Sequence, residues 1–431
     1  MNNSFVIKGN ICQTINPDKL DLHENAFAVC VNGASMGVFD FLPQEYTSLP
    51  LYDYGDALIF PGMVDIHLHA PQYAFRGMCM DLELMEWLNR YTFPEEEKYE
   101  NIEYAEKAYG MFVEALKNSA TTRACIFATC HRYATELLMK LMEESGLSSF
   151  VGKVNMDRQA SKALTEESAD ASAYSTFGWI NAVKDKFYNT KPILTPRFIP
   201  CCTDELMEEL REIQMTYGIP VQSHLSESKG EIDFVKQLHP DNLFYGDVYN
   251  EYDLFGRNDD IGTDVKTVMA HCVWSTDEEV ELMHKNGVFV AHCPASNMNL
   301  TSGIAPIRKY LNKGLNIGLG TDVAAGHSIS VFRAITDAIQ VSKMYFRMVN
   351  EAYNPLVFSE AFYLATKGGG AFFGKVGSFE KSYEFDAVVL DDSVLTHPQS
   401  LNLAERMERA VYLGLDEKKI IAKFVAGRQI I

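Results

Sequence analysis

The sequence predicts an α/β fold in which a (β/α)8 barrel of the TIM type carries a small discontinuous β-sandwich domain. Between residues 61 and 370, short apolar runs alternate with helical segments about eight times, as in parallel strands that are each followed by a helix. Residues 1–60 and 371–431 are instead rich in short β-like runs separated by turns. Because both ends of the chain share this character, we expect them to form one sandwich domain beside the barrel.

Four short apolar runs within residues 1–60 predict strands. The second and third runs flank Asn32-Gly33-Ala34-Ser35, a turn signal that is typical of a β-hairpin. The predicted strands span residues 4–7, 26–31, 36–39 and 57–60.

The barrel segment combines strand-like runs with amphipathic helical stretches, and Asn101 can cap one of the helices. Helices are predicted at residues 82–91, 203–215 and 276–285, and strands at 63–68, 122–128, 150–156, 192–198, 220–225, 266–271, 287–292 and 315–320. After Gly368-Gly369-Gly370 the β character returns. Strands are predicted there at residues 387–390, 411–413, 420–425 and 429–431, with Ala426-Gly427-Arg428 as a hairpin turn.

Composition excludes several classes of partner. The chain carries 38 Lys and Arg against 58 Asp and Glu, and a net charge of −20 repels a nucleic acid backbone. The 9 cysteines follow no repeating spacing, which favours a reducing compartment over a disulfide framework. We expect no signal peptide, because residues 1–5 have neither a basic region nor a long apolar region, and no run approaches the roughly 18 apolar residues that cross a membrane. We therefore expect a cytoplasmic protein that binds neither nucleic acid nor membranes.

Histidines gather at the ends of the predicted strands. Side chains i and i+2 of a strand share a face, so His67 and His69 project side by side. The catalytic groups of a barrel sit at the C-terminal ends of its strands. Of the 11 histidines, those at such ends are His67, His69, His224, His271 and His292, and Asp322 follows the eighth strand.

This set predicts a metal site with one open position. Zinc or iron takes imidazole and carboxylate ligands, and the ion lowers the pKa of a bound water from about 15.7 toward about 7. Glu227 follows His224 by three residues and suits a proton shuttle from that water to a substrate nitrogen, while His271 can hydrogen-bond the water or the substrate. The predicted ligands are His67, His69, His224 and Asp322.

Five motifs resemble those of the mononuclear-metal deaminases in the amidohydrolase superfamily, and all are in the expected order. They are Pro61-Gly62-x-x-Asp65-x-His67-x-His69, His224-x-x-Glu227, Ala270-His271-Cys272, His292-Cys293-Pro294-x-Ser296-Asn297 and Gly320-Thr321-Asp322. Residues 69–73, 87–94, 151–154 and 195–198 are similar to segments of the guanine deaminase family, so the resemblance covers essentially the whole chain.

The resemblance implies that a zinc-bound hydroxide attacks C2 of guanine and that ammonia and xanthine are released, a step of purine catabolism. It implies one zinc ion per chain, with iron possible, and a homodimer. Gln72 and Arg197 would read the purine edge and Phe198 would pack on the ring. The implied catalytic residues are Glu227, His271 and Asp322, and the implied substrate-binding residues are Gln72, Arg197, Phe198, His224, Glu227 and His271.

Five side chains could in principle hold two metal ions. They are His67, His69, His224, His271 and Asp322. Binuclear amidohydrolases bridge their metals with a carboxylated lysine at a strand end. The candidate lysine, Lys153, falls within its predicted strand, so we favour one metal.

Two alternatives stay open at this stage. A related zinc amidohydrolase could deaminate another purine, a pterin or a triazine, since the metal chemistry is shared. A metal-free scaffold of the same fold is the second alternative, but the ligand set and Glu227 are complete here.

Several other patterns are interpreted as structural. Gly369 to Val376 imitates a phosphate-binding loop, but Val376 stands where Ser or Thr must bind Mg²⁺, and we interpret it as a helix exit. The run Glu95-Glu96-Glu97 after Pro94 is interpreted as a helix start. No role is assigned to His292 or His327. His131, His239, His284 and His397 are interpreted as structural residues in helices or loops.

Overall fold

The computed structural model describes residues 3–257, 265–416 and 419–431. Within them, 17 strands run in the order β1 Phe5–Gln13, β2 Asp21–Val31, β3 Ala34–Phe39, β4 Leu51–Pro61, β5 Met63–His69, β6 Thr121–Phe127, β7 Ser148–Gly152, β8 Val154–Asn155, β9 Thr190–Pro192, β10 Thr195–Pro196, β11 Val221–Leu225, β12 Thr267–His271, β13 Phe289–His292, β14 Asn316–Leu319, β15 Ala387–Leu390, β16 Ile420–Val425 and β17 Arg428–Gln429.

Strands from both ends of the chain pair with one another. They form a seven-stranded sheet in the order β17-β16-β15-β4-β1-β2-β3. Strand β1 is parallel to β4, and the other pairs are antiparallel. The predicted hairpin turn is present, since Asn32 and Gly33 adopt the left-handed φ values of 53° and 85° between β2 and β3. The two chain ends thus share one sheet, and a two-layer sandwich stays a prediction.

The middle of the chain supplies parallel strands. Two four-stranded sheets have the orders β5-β6-β7-β9 and β11-β12-β13-β14, and every pair within them is parallel. Leu194 bridges to Val221 in parallel along one edge. Along the other edge, the Asp322 amide donates to the His67 carbonyl at 2.9 Å, and the His69 amide donates to that of Val323 at 2.9 Å. Backbone hydrogen bonds therefore join both pairs of edges, and the C-terminal ends of these strands lie on one side.

Helices follow most of the parallel strands. The described α-helices are α1 Leu84–Trp87, α2 Phe93–Glu96, α3 Ile102–Asn118, α4 Arg132–Ser145, α5 Ala169–Val183, α6 Asp204–Tyr217, α7 Lys229–Leu238, α8 Tyr245–Glu251, α9 Asp277–Asn286, α10 Pro294–Asn299, α11 Ile307–Asn312, α12 Val331–Met348, α13 Phe358–Tyr363 and α14 Leu403–Tyr412. Asn101, Thr203 and Thr276 cap the N-termini of α3, α6 and α9 through their side chains. Nowhere in the described ranges is a helix both long enough and apolar enough to cross a membrane.

One local prediction is wrong, and a second is confirmed only in part. The predicted strand at 411–413 is the end of α14, because Asn402 and Glu405 form a capping box and Met407 and Val411 bury one helical face. Glu95 and Glu96 lie in the first turn of α2, as predicted. This turn continues a helical segment that runs without a break from residue 84 to residue 100, through a π-helical stretch at Leu88–Thr92.

A buried ion pair joins the chain-end sheet to β6. Arg123 Nε donates to Asp386 Oδ2 at 2.6 Å, and its Nη2 donates to Glu384 Oε2 at 2.7 Å. The Asp386 side chain is fully buried. Breaking such a pair leaves an uncompensated buried charge, which is costly.

We expect Arg123→Met to lower the free energy of unfolding by about 3 kcal/mol, the usual loss when one partner of a buried pair is removed. Urea unfolding of the variant and the wild type measures this difference. Arg132→Met is the matched control, since Arg132 pairs with Glu136 four residues away on a partly exposed helix face and should cost at most about 0.5 kcal/mol. Equal losses in the two variants would contradict the assignment.

Candidate active site

Four side chains from three strand ends converge on one point. His67 and His69 close β5, His224 lies in β11, and Asp322 follows β14. Asp322 Oδ1 lies 3.2 Å from His67 Nε2 and 3.3 Å from His69 Nε2. The Nε2 atoms of His69 and His224 are 3.3 Å apart. His67, His69 and Asp322 are almost fully buried, so these donors face one another with little water between them.

The spacing fits a metal ion. Donors that bind zinc tetrahedrally at about 2.05 Å lie about 3.3 Å from one another. The Nε2 atom of His67 is buried without a hydrogen-bond partner, which an ion at the centre of the cluster would supply. The cluster also forms two overlapping sets of candidate ligands, namely His67, His69 and His224, and His67, His271 and Asp322.

The imidazoles are held in the form that a metal requires. The His224 ring presents Nδ1 to the Arg197 carbonyl at 2.6 Å, so Nδ1 carries the proton and Nε2 keeps a free lone pair. Burial, together with neighbouring histidines, holds the pKa of His67, His69 and His224 well below the usual value. Neutral rings with exposed lone pairs are metal ligands without further deprotonation.

Glu227 and His271 lie beside this cluster. Ser302 Oγ donates to Glu227 Oε1 at 2.9 Å, and Glu227 Oε2 lies 3.5 Å from His271 Nε2. Burial, with the charge of Asp322 as the second cause, raises the pKa of Glu227 to about 8. His271 in turn presents Nδ1 to Asn297 Oδ1 at 2.9 Å. A buried carboxyl group with so high a pKa can both accept and return a proton.

Three residues at these strand ends have left-handed backbone conformations. Ser226, His271 and Asp322 have φ values of 48°, 72° and 48°. Such values cost energy in residues other than glycine and are found where side chains must be aimed at a site. Here they occur in or just after β11, β12 and β14.

A cavity of about 410 Å³, including its mouth, opens above the cluster. All six predicted substrate-binding residues line it. They are Gln72, Arg197, Phe198, His224, Glu227 and His271. Leu84, Trp87 and Leu88 also line it, so the helical segment that begins at residue 84 forms part of the wall. The cavity therefore combines an apolar wall with a small set of polar groups, as ligand sites commonly do.

A family model for the amidohydrolase family matches residues 58–430, which is most of the chain. The chain belongs to the amidohydrolase family.

Two relatives and one solved structure are similar to this chain over most of its length. Guanine deaminase of Dictyostelium discoideum is 36% identical over 386 residues, 88% of this chain and 83% of the relative. Guanine deaminase of Mus musculus is 37% identical over 404 residues, 91% of this chain and 86% of the relative. The crystal structure of guanine deaminase from C. acetobutylicum with bound guanine superposes with a TM-score of 0.95 at 45% identity, covering 99% and 100% of the two chains. This amidohydrolase is therefore similar to guanine deaminases over most of its length.

Not every histidine at a predicted strand end belongs to the amidohydrolase cavity. His292 is buried, and neither of its ring nitrogens has a hydrogen-bond partner, but it does not line the cavity. His327 is exposed and lies 3.2 Å from Asn299 Nδ2, beside a different surface depression.

Three carboxylates around the site had no predicted role in it. Asp65 accepts hydrogen bonds from the Thr321 amide at 3.1 Å, the Thr321 hydroxyl at 2.5 Å and the His67 amide at 3.2 Å, so it fixes the backbone around two candidate ligands. Its even spacing from His67 and His69 could have revealed it. Glu231 accepts from the Glu227 amide at 3.0 Å, and Glu96 pairs with Arg197.

Proposed function

We propose that this protein is a guanine aminohydrolase that converts guanine and water into xanthine and ammonia. The observation that carries the proposal is the meeting of two sets of residues in one cavity. The proposed purine-reading residues Gln72, Arg197 and Phe198 line it together with Glu227 and three of the four candidate metal ligands. The likeness to guanine deaminases over nearly the whole chain supports the same conclusion.

In this proposal His67, His69, His224 and Asp322 hold one zinc ion, and iron is the alternative. Such an ion acidifies a bound water and so supplies the nucleophile at neutral pH. The donor spacing and the neutral imidazoles support a single ion. Lys153 supports it too, because its Nζ donates to Glu166 Oε1 at 2.6 Å rather than facing the cluster.

Glu227 moves the protons. As water adds to C2 of guanine, Glu227 accepts the water proton and then delivers it to the departing amino nitrogen, which leaves as ammonia. Ser302 holds one oxygen of the carboxylate, so the oxygen nearer His271 is the one available for the transfer. His271 donates Nδ1–H to Asn297, which leaves Nε2 to orient the water or the substrate.

Arg197, Gln72 and Phe198 select the base. Guanine presents O6 and N7 as acceptors, which suits the donors of Arg197. Gln72 has both a donor and an acceptor for the polar edge, and the Phe198 ring can pack against the purine face. A site built from such hydrogen bonds can reject an analogue that lacks one of the groups by about 10⁴-fold.

The finer architecture belongs to the same proposal. We place a (β/α)8 barrel at residues 61–370 and a β-sandwich domain at residues 1–60 plus 371–431. The alternation of parallel strands and helices and the shared sheet of the chain ends support this division. A homodimer, a cytoplasmic location and a role in purine catabolism stay predictions from the resemblance.

A substrate panel tests the proposed activity. We expect rapid loss of guanine absorbance with release of one ammonia per xanthine formed, and turnover of adenine, cytosine and an aminotriazine at least about 10³-fold slower, because these lack the paired O6 and N7 acceptors that Arg197 reads. The metal content of the same sample is measured by elemental analysis. A metal-loaded protein that does not turn over guanine would refute the proposal. Faster turnover of another base would identify that base, instead of guanine, as the substrate.

A further inference from the structure

One buried carboxylate next to the cavity has no part in the mechanism so far. Glu96 belongs to α2, and its side chain is 1% exposed. Arg197 Nη1 donates to Glu96 Oε2 at 2.5 Å and Nη2 donates to Oε1 at 3.1 Å. Gln72 Nε2 donates to the same Oε1 at 3.0 Å. Glu96 does not line the cavity, so it lies behind the two residues that we expect to read guanine.

Glu96 determines the orientation of the side-chain amide of Gln72. A carboxylate can only accept, so the amide must turn its NH2 group toward Glu96. At the other end, Gln72 Oε1 accepts from the Ala324 amide at 3.3 Å. The two contacts require the same orientation of the side chain. What remains for a ligand is one N–H and one lone pair in defined positions.

The same carboxylate holds the Arg197 guanidinium. Two of its N–H groups are used in the paired contact with Glu96, while the side chain still lines the cavity with its remaining donors. The guanidinium also lies 5.1 Å from the Phe93 ring centre, in the same helical segment as Glu96. The donors of Arg197 are thus oriented before any ligand binds, which lowers the entropic cost of binding.

The pair also sets the charge of the pocket. Burying two charges is expensive, and a buried ion pair is poor evidence for stability alone. Here the pair leaves Arg197 able to donate hydrogen bonds while its net charge is cancelled. A neutral pocket suits a neutral base such as guanine. It retains an anion poorly, and xanthine ionises more readily than guanine because a second carbonyl group replaces the amino group.

We propose that Glu96 is a positioning residue that sets specificity for guanine over its product, by orienting Arg197 and Gln72 and by cancelling the charge of Arg197. This inference rests on the proposed guanine aminohydrolase activity. Glu96 touches no reacting atom, so its effect falls on ligand binding rather than on the chemical step.

Glu96→Gln tests the inference, because an amide offers one acceptor atom where the carboxylate accepts three hydrogen bonds. We expect KM for guanine to rise about 10- to 100-fold, as the loss of one or two charge-assisted bonds predicts, while kcat changes less than about threefold. We also expect the ratio of KM for guanine to the inhibition constant of xanthine to rise at least about tenfold above the pH at which xanthine ionises, and much less below it.

Glu95→Gln is the matched control. Glu95 precedes Glu96 in the same helix and is also buried, but its carboxylate accepts from Lys98 and Tyr104 and does not contact Arg197. This variant should keep the wild-type KM and the wild-type xanthine ratio. Equal changes in both variants, or a Glu96→Gln variant with wild-type ratios at both pH values, would overturn the inference.

If Glu96→Gln loses its metal or melts at a lower temperature than the wild type, Glu96→Asp separates the effect of charge from the effect of position. Aspartate keeps the charge but withdraws the carboxylate by one methylene group. KM for guanine should rise while the xanthine ratio stays near that of the wild type, and a ratio that rises with KM would contradict the charge argument. If the wild-type protein fails to turn over guanine, the proposed function is wrong. If the wild type is active and the Glu96 variants keep its KM and xanthine ratio, only this inference is wrong.

Discussion

Glu227→Gln should reduce kcat for guanine by about 10³- to 10⁴-fold, the upper part of the range for general acid–base catalysis. Glutamine matches the shape of glutamate and can still accept the hydrogen bond from Ser302 that holds Oε1. It cannot take a proton from water or return one to the amino group. The metal should stay, because the predicted ligands are His67, His69, His224 and Asp322 and Glu227 is not among them.

Two measurements make this prediction decisive. Single-turnover kinetics report the chemical step, and elemental analysis reports whether metal is retained. Glu208→Gln, on the exposed face of α6, is the control for replacing a glutamate elsewhere in the chain and should behave as the wild type. A Glu227→Gln variant that keeps its metal and a wild-type kcat would rule out the proton shuttle. Loss of both activity and metal would instead make Glu227 part of the ligand set.

The cluster of candidate metal ligands could be predicted from sequence because it depends on strand geometry. Alternation within a strand brings His67 and His69 to one face, and parallel neighbours bring His224 and Asp322 to the same end. These are local rules applied several times. Asp65 obeys the same alternation, and its contacts with Thr321 and His67 follow from the same geometry.

Contacts between distant segments could not be predicted in this way. Ser302 is 75 residues from Glu227, and Arg197 is 101 residues from Glu96, and no periodic pattern connects either pair. The run at 95–97 illustrates the difficulty. Glu95 bonds to Lys98 within its own segment, Glu96 pairs with Arg197, and Glu97 is half-buried nearby, although the three letters are the same. Only the path of the helical segment past the strand ends distinguishes them.

Local chemistry can also mislead when its context is missing. Val411, Tyr412 and Leu413 read as a strand because β-branched and aromatic residues favour strands. The capping box at Asn402 starts a helix whose last turn includes Val411, and the packing of that helix overrides the propensity. Propensity is a weak guide wherever a short apolar run is also the end of an amphipathic helix.

Arg197→Met should lower kcat/KM for guanine by about 10³-fold. The site loses its donors to O6 and N7, but binding still removes these two atoms from their hydrogen bonds with water. Methionine keeps much of the volume of the side chain. It leaves the charge of Glu96 unpaired, however, so the paired variant Arg197→Met with Glu96→Gln is needed beside it. The loss for guanine should persist in the paired variant, since the donors are still absent.

A second substrate identifies the cause of that loss. 2-Aminopurine has the same reacting C2 amino group as guanine and the same N7, but no oxygen at C6. It should be a poor substrate of the wild type, and Arg197→Met should reduce its kcat/KM by less than about tenfold, because the contact to O6 never formed. The difference between the two substrates measures what Arg197 contributes through O6. Equal losses for both would mean that Arg197 supports the site without reading O6, and the selectivity for guanine would then have to come from Gln72 and the shape of the cavity.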